Sequence, residues 1–124
     1  MPVIRKAESR RTVTPNAVMI THASPTQGGT ALAVWSVEMA PGAAGPRHSF
    51  DVEQVWTLLA GAASIELDGE ALAVGAGDAI VMPAGVLRQV QADPLAGFTA
   101  VVAASAGARA STSEGEPVLP AWIA

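Results

Sequence analysis

The fold of this 124-residue chain is decided by the stretch Pro41 to Trp56, which reads Pro-Gly-Ala-Ala-Gly-Pro-Arg-His-Ser-Phe-Asp-Val-Glu-Gln-Val-Trp. Polar residues follow directly after a loop rich in Gly and Pro, and the chain then enters an apolar strand. A second stretch, Gly77 to Val90, repeats this order: a Gly-Asp turn, a short apolar strand, Pro-Ala-Gly and then Arg88. We expect both stretches to direct polar side chains into one common interior.

Short apolar strands alternate with turn residues over most of the chain. The clearest hairpin centres on Asp68-Gly69, because Asp-Gly supplies the positive φ that a tight primed turn needs. Strand signals recur every eight to twelve residues or so, and no segment has a capped helical period. This pattern predicts an all-β sandwich or barrel of about eight to nine strands. The predicted strands cover residues 17–22, 31–39, 53–59, 63–67, 70–74, 79–82, 86–92 and 98–103.

The two polar stretches resemble the two motifs of the cupin superfamily, whose members are small antiparallel jelly-roll barrels. The resemblance covers residues 30–103 and implies a single cupin domain over residues 1–124. Residues 1–16 are then an amino-terminal arm and residues 111–124 an extended tail, with Trp122 docked on the barrel or on a neighbouring subunit. The matching scaffold positions are Gly42, Leu59-Ala60-Gly61, Asp68-Gly69-Glu70, Gly77-Asp78 and Pro83-Ala84-Gly85.

The metal-ligand positions of these motifs are largely replaced. The family holds a divalent metal with His-x-His, a Glu four residues on, and a later His. Here His48 matches the first His and Phe50 stands at the second, while Gln54 replaces the Glu and Arg88 the last His. Phe50 cannot coordinate, and the fixed charge of Arg88 repels a dication. We therefore expect no metal and no other cofactor.

Three polar residues are candidate catalytic groups. His48 is the candidate acid/base, since an imidazole titrates near neutrality. Gln54 is expected to orient a substrate through its amide, and Arg88 to stabilise a carboxylate, enolate or phenolate. Alternatives remain for all three, and His48 is otherwise a structural residue. Gln54 is otherwise a satisfied core amide, and Arg88 otherwise reaches water at the barrel mouth or pairs with Asp51 or Glu53.

Apolar side chains near these groups are expected to wall a substrate pocket. Trp56 shares a strand face with Gln54 by the two-residue period, and Phe50 lies beside His48. The alternative is that these large side chains are only core, and that His22, at the end of a strand, is exposed. The predicted pocket residues are Phe50, Trp56, Trp35, Met39 and His22.

Composition limits the possible functions. The chain has no Cys, which excludes disulfides, thiolate ligands and Cys nucleophiles. It shows neither a signal peptide nor the ~20 apolar residues of a membrane span, so we expect a soluble, cytoplasmic protein without membrane contacts. The net charge is −4, but four of the seven basic residues crowd into the amino-terminal arm. We read this arm as solvated, with no nucleic-acid partner. Its basic residues are Arg5, Lys6, Arg10 and Arg11.

These features together predict a metal-free enzyme that moves protons on a small anionic or carbonyl-containing substrate. The expected reactions are isomerisation, elimination, or cyclisation with dehydration. The resemblance further implies a homodimer and a role in secondary metabolism. Two alternatives stay open. One is a non-catalytic binding or sensing protein. The other is a metal-dependent oxygenase or isomerase with an atypical site, recruited from His48, Gln54, Glu53, Asp51 and His22.

Overall fold

The computed structural model describes residues 2–113 and 115–124. These residues contain ten β-strands and one 3-10 turn, Lys6–Glu8. All strand pairings are antiparallel, which confirms the predicted all-β jelly-roll architecture. The strands are β1 (Arg10–Val13), β2 (Val18–Ala23), β3 (Leu32–Met39), β4 (Ser49–Phe50), β5 (Gln54–Leu67), β6 (Glu70–Gly75), β7 (Ala79–Met82), β8 (Arg88–Ala92), β9 (Phe98–Ser105) and β10 (Ala110–Ser111).

Eight strands form one sheet that wraps around the core. Its hydrogen-bonded order is β1-β2-β3-β9-β5-β6, and β7 and β8 also pair with β5. The first part of β5 pairs with β7 and β9, whereas its last part pairs with β6 and β8. The two-residue strands β4 and β10 form a separate small sheet. The large sheet therefore agrees with the predicted strand number, and the two short strands were not predicted.

A bend inside β5 corrects the prediction of separate strands over 53–59 and 63–67. A β-bulge shifts the register between Leu58 and Ala60, and Gly61 has a φ of 75°. A Cβ on Gly61 would lie 2.0 Å from the carbonyl oxygen of Gly97, so only glycine fits. Leu59-Ala60-Gly61 therefore bends one continuous strand instead of ending it.

The Asp-Gly hairpin is confirmed. Asp68 has a φ of 51° and Gly69 a φ of 80°, as a primed two-residue turn requires. The turn sets the register that pairs Leu67 with Glu70 at the ends of β5 and β6.

The expected amino-terminal arm is partly a strand of the barrel. Residues 10–13 form β1 and pair with β2. The Arg10 guanidinium donates to Thr26 Oγ1 at 2.8 Å and to Ser24 Oγ at 3.5 Å. The arm outside the sheet is therefore shorter than expected and ends before Arg10. The Arg10 side chain bonds to the barrel and is not simply solvated.

Alternating side chains of the sheet fill the barrel interior. The core includes Trp35, Leu58, Ile65 and Val102, all almost fully buried. The carboxyl-terminal segment packs on this core through the fully buried Ile123, and Thr21 Oγ1 donates to the carbonyl oxygen of Trp122 at 2.6 Å. No described helix has the length and hydropathy needed to cross a membrane.

Candidate functional site

The barrel encloses a cavity of about 410 Å³. Its wall is mostly apolar, and none of the described residues that line it is acidic. Seven of the residues singled out in the sequence meet around it: His48, Gln54, Arg88, Phe50, Trp56, Trp35 and Met39.

Backbone pairing holds His48 and Arg88 opposite each other. The His48 N–H donates to the Arg88 carbonyl at 3.0 Å, and the Arg88 N–H donates to the His48 carbonyl at 2.8 Å. Directly opposed residues of an antiparallel pair project their side chains to the same face. Both side chains therefore line the same cavity, although forty positions separate them in sequence.

Arg88 is buried without an anionic partner. Its side chain is 2% exposed. Nη2 donates to Gln54 Oε1 at 2.7 Å, and Nη1 lies 3.2 Å from Met82 Sδ, a weak acceptor. The guanidinium carbon lies 4.5 Å from the centre of the Phe50 ring. Burial lowers the pKa of Arg88 to about 10, so the group stays charged at neutral pH.

Neither alternative for Arg88 is observed. The group does not reach water at the barrel mouth, because its side chain is buried. Asp51 Oδ1 instead accepts the backbone N–H of Arg109 at 2.8 Å, and Glu53 is exposed next to the buried Gln54. The guanidinium of Arg88 therefore forms no ion pair with any described carboxylate.

Gln54 has a fixed amide orientation. Its Oε1 accepts hydrogen bonds from Arg88 Nη2 at 2.7 Å and from Trp56 Nε1 at 3.0 Å. Both neighbours can only donate, so the oxygen has to face them. Gln54 Nε2 is then a buried donor without a partner among the described residues, and so is Arg88 Nε. Because unpaired buried donors are costly, this end of the cavity is suited to a ligand that accepts hydrogen bonds.

His48 carries a free ring nitrogen. Its Nδ1 lies 2.8 Å from the carbonyl oxygen of Pro46, and since a carbonyl only accepts, Nδ1 holds the proton. No described group bonds Nε2. Burial lowers the pKa of His48, the charge of Arg88 lowers it further, and the Pro46 bond opposes both. The imidazole is therefore neutral at neutral pH, with a lone pair on Nε2.

Phe50 contacts both charged and titratable partners. Its ring meets the His48 ring edge-on, with centroids 5.3 Å apart and an interplanar angle of 69°, and Arg88 lies over its face. The side chain that stands at a metal-ligand position of the family is here in contact with both the imidazole and the guanidinium.

The residues at the family's metal positions do not fit a divalent cation. The amide oxygen of Gln54 is occupied by two donors, Arg88 is a buried cation, and Phe50 has no lone pair. No cluster of three or more His, Asp or Glu side chains occurs in the described part of the chain. These side chains therefore do not form a set of ligands for a divalent metal.

His22 corrects the predicted pocket, because it lies outside the cavity. It is exposed on β2, and its Nε2 lies 2.5 Å from Ser36 Oγ. The neighbouring Thr21 is buried instead. The two-residue alternation of β2 places His22 on the face opposite Met19 and Thr21, as the alternative interpretation of His22 expected.

Two parts of the cavity wall were missed in the sequence. Thr14 and Asn16 contribute from the start of the barrel, and residues 118–122 contribute from the tail. The expected docking of Trp122 was the one signal for the tail, and its half-buried side chain does pack on the core. Nothing in the local pattern marks the other residues, because they meet the cavity only through long-range contacts.

The fold is a small antiparallel jelly-roll barrel with an internal cavity. The family model described as "Cupin domain" matches residues 35–94, which together with the barrel fold supports the expected resemblance to the cupin superfamily. No curated protein matches the chain significantly.

Several solved structures share the fold. The polyketide cyclase RemF from Streptomyces resistomycificus has a TM-score of 0.79 and 17% identity, covering 94% of this chain and 87% of RemF. KdgF from Halomonas sp. has a TM-score of 0.69 and 22% identity, covering 85% and 94%. Salicylate 1,2-dioxygenase from Pseudoaminobacter salicylatoxidans has a TM-score of 0.72 and 22% identity, covering 86% of this chain and 31% of the dioxygenase. At these identities the likeness extends to the fold alone.

Proposed function

We propose that this protein is an enzyme that moves protons on a small carbonyl-containing molecule bound in the cavity as an oxyanion. One observation carries the proposal. Arg88, whose guanidinium has no described anionic partner, lines the same cavity as His48, whose Nε2 has no described hydrogen-bond partner. A buried charge is unfavourable unless an opposite charge meets it. An oxyanion that forms during the reaction supplies that charge.

The proposed reaction begins with His48. Its Nε2 takes a proton from the carbon next to a carbonyl group, and the electron pair of the broken C–H bond moves to the carbonyl oxygen. The resulting enolate is stabilised by the donors of Arg88 and Gln54. His48 then returns its proton, and no other reactant is needed.

The destination of that proton defines the outcome. Its return to a different carbon gives isomerisation, and its transfer to a departing hydroxyl gives elimination of water. Attack of the enolate carbon on a second carbonyl carbon gives cyclisation: the proton on His48 passes to the alkoxide that forms, and this hydroxyl then leaves as water with a second proton from the attacking carbon. The fold likeness to a protein named as a polyketide cyclase supports the last form and a place in secondary metabolism.

The test is proton exchange at carbon in D₂O, followed by ¹H NMR. The substrates are 4-phenyl-2-butanone and 1-phenyl-1,3-butanedione, and the rate in buffer alone is subtracted. We expect the wild-type protein to exchange at least one of the two compounds and His48→Ala to lose about a hundredfold or more of that rate. The matched control is His22→Ala, which removes an exposed imidazole outside the cavity and should keep the wild-type rate.

The result also separates catalysis from binding alone. If the wild-type protein binds these compounds and exchanges neither faster than His48→Ala does, the protein is a binding or sensing module and the proposal fails. If Arg88→Met folds and retains full exchange, the oxyanion role of Arg88 is wrong.

A further inference from the structure

We infer that the substrate class of this site is a ring-bearing 1,3-dicarbonyl compound, bound as its enolate with its two oxygens at Gln54 and Arg88. The inference rests on the proposed function and adds the chemical identity of the group that the cavity binds.

The number of unpaired donors argues for two ligand oxygens. Gln54 Nε2 and Arg88 Nε are both buried without a described partner. The two side chains are in direct contact, because Arg88 Nη2 donates a hydrogen bond to Gln54 Oε1 at 2.7 Å. A single ligand oxygen leaves one of the two donors less well satisfied. A planar anion with two oxygens can satisfy both.

The number of cations argues against a carboxylate substrate. Arg88 is the one Lys or Arg among the described residues that line the cavity. If a substrate carboxylate neutralised it in the ground state, no cation would remain for the oxyanion formed in the reaction. In a 1,3-dicarbonyl compound the group that binds and the group that becomes charged are the same. One guanidinium is then sufficient.

The strength of the base agrees with this choice. Burial and the nearby charge of Arg88 lower the pKa of His48, so its neutral ring is a weak base. A weak base removes a proton from carbon only if the resulting charge is well delocalised. A carbon between two carbonyl groups meets this condition, because its charge is shared by both oxygens.

The rest of the wall selects an apolar, ring-bearing ligand. Trp35, Trp56, Met39 and Val37 line the cavity around the polar end. Aromatic and thioether side chains favour flat, polarisable groups over charged or heavily hydroxylated ones. A sugar acid or a phosphate ester therefore fits this wall poorly.

The experiment uses the ultraviolet spectrum of 1-phenyl-1,3-butanedione, because its enolate and its neutral forms absorb differently. The diketone is titrated with pH in the presence of the wild-type protein, Arg88→Met and Gln54→Glu. We expect the bound compound to ionise at least one pH unit below the free compound, a tenfold shift, and we expect both variants to lose the shift. Glu53→Gln is the control, since this exposed neighbour lies outside the cavity.

Two comparison ligands decide the class. 4-Phenyl-2-butanone retains the ring and one carbonyl, and 3-phenylpropanoate offers a carboxylate. Tighter binding of the carboxylate, with no enolate band from the diketone, would overturn the inference. Exchange of the monoketone that depends on His48, without ionisation of the diketone, would also overturn it and leave the proposed function intact. A bound enolate without exchange that depends on His48 would support the ligand class and contradict the proposed catalysis.

Discussion

Arg88 and Gln54 share a 2.7 Å hydrogen bond in which the guanidinium donates to the amide oxygen. Trp56 donates to the same oxygen, and both the NH₂ group of Gln54 and the Nε of Arg88 are buried without a partner among the described residues. Because glutamine is neutral, it leaves the positive charge of Arg88 uncompensated. A glutamate at this position would neutralise that charge. The positive charge of the cavity depends on this one amide.

The first prediction concerns this amide. In Gln54→Glu the new carboxylate pairs with Arg88, so we expect an enolate or a carboxylate ligand to bind at least about tenfold more weakly. The fold should remain, because the variant satisfies a buried charge. Calorimetric titration, with Glu53→Gln as the control, measures the effect. Unchanged affinity would mean that Arg88 does not bind the anion.

The second prediction concerns the indole N–H of Trp56. Trp56→Phe retains a ring in the wall but removes one of the two donors to Gln54 Oε1. We expect ligand affinity to fall about three- to tenfold, because the amide loses its fixed orientation. Trp35→Phe is the matched control, since no hydrogen bond to the described residues holds its indole N–H. Equal losses in both variants would indicate lost packing instead.

The third prediction is the pH profile of kcat/KM for proton exchange. The base is neutral His48, and its pKa lies below the ordinary 6.5. Activity should therefore fall with decreasing pH only below 6.5, where the imidazole becomes protonated. At high pH activity should fall as Arg88, with a pKa of about 10, loses its charge. An acid limb above 6.5 would show that an anionic group stabilises the imidazolium.

The fourth prediction tests the bend in β5. Gly61→Ala places a Cβ against the carbonyl of Gly97 at a positive φ, and we expect a loss of about 4 kcal/mol or more in the free energy of unfolding. Gly69→Ala is the control, because it has a similar φ but nothing within 4 Å. It should cost about 1–2 kcal/mol. Urea unfolding compares the two, and equal costs would contradict the close approach of the strands.

The sequence predicts the fold well where the determinants are local. Asp68-Gly69 defines its hairpin through backbone φ preferences, and the alternation along β5 correctly groups Gln54 with Trp56. The positions of His48 and Arg88 in the two motifs also bring them to one cavity, because the barrel pairs those motifs.

Other features depend on contacts that no local pattern encodes. The bend at Gly61 arises from the close approach of Gly97. The tautomer of His48 depends on the carbonyl of Pro46, whose position the loop sets. The tail enters the cavity wall through packing between distant parts of the chain.

The most direct test of the central claim is the ¹H–¹⁵N resonance of Arg88 Nε, assigned by its loss in Arg88→Met. A buried, unpaired Nε–H should give a resolved signal that exchanges slowly with solvent. On titration with 1-phenyl-1,3-butanedione we expect that signal to shift downfield and saturate with the binding curve. A signal that exchanges rapidly in the free protein, or that stays unmoved at saturation, would contradict the claim that this guanidinium receives an organic anion.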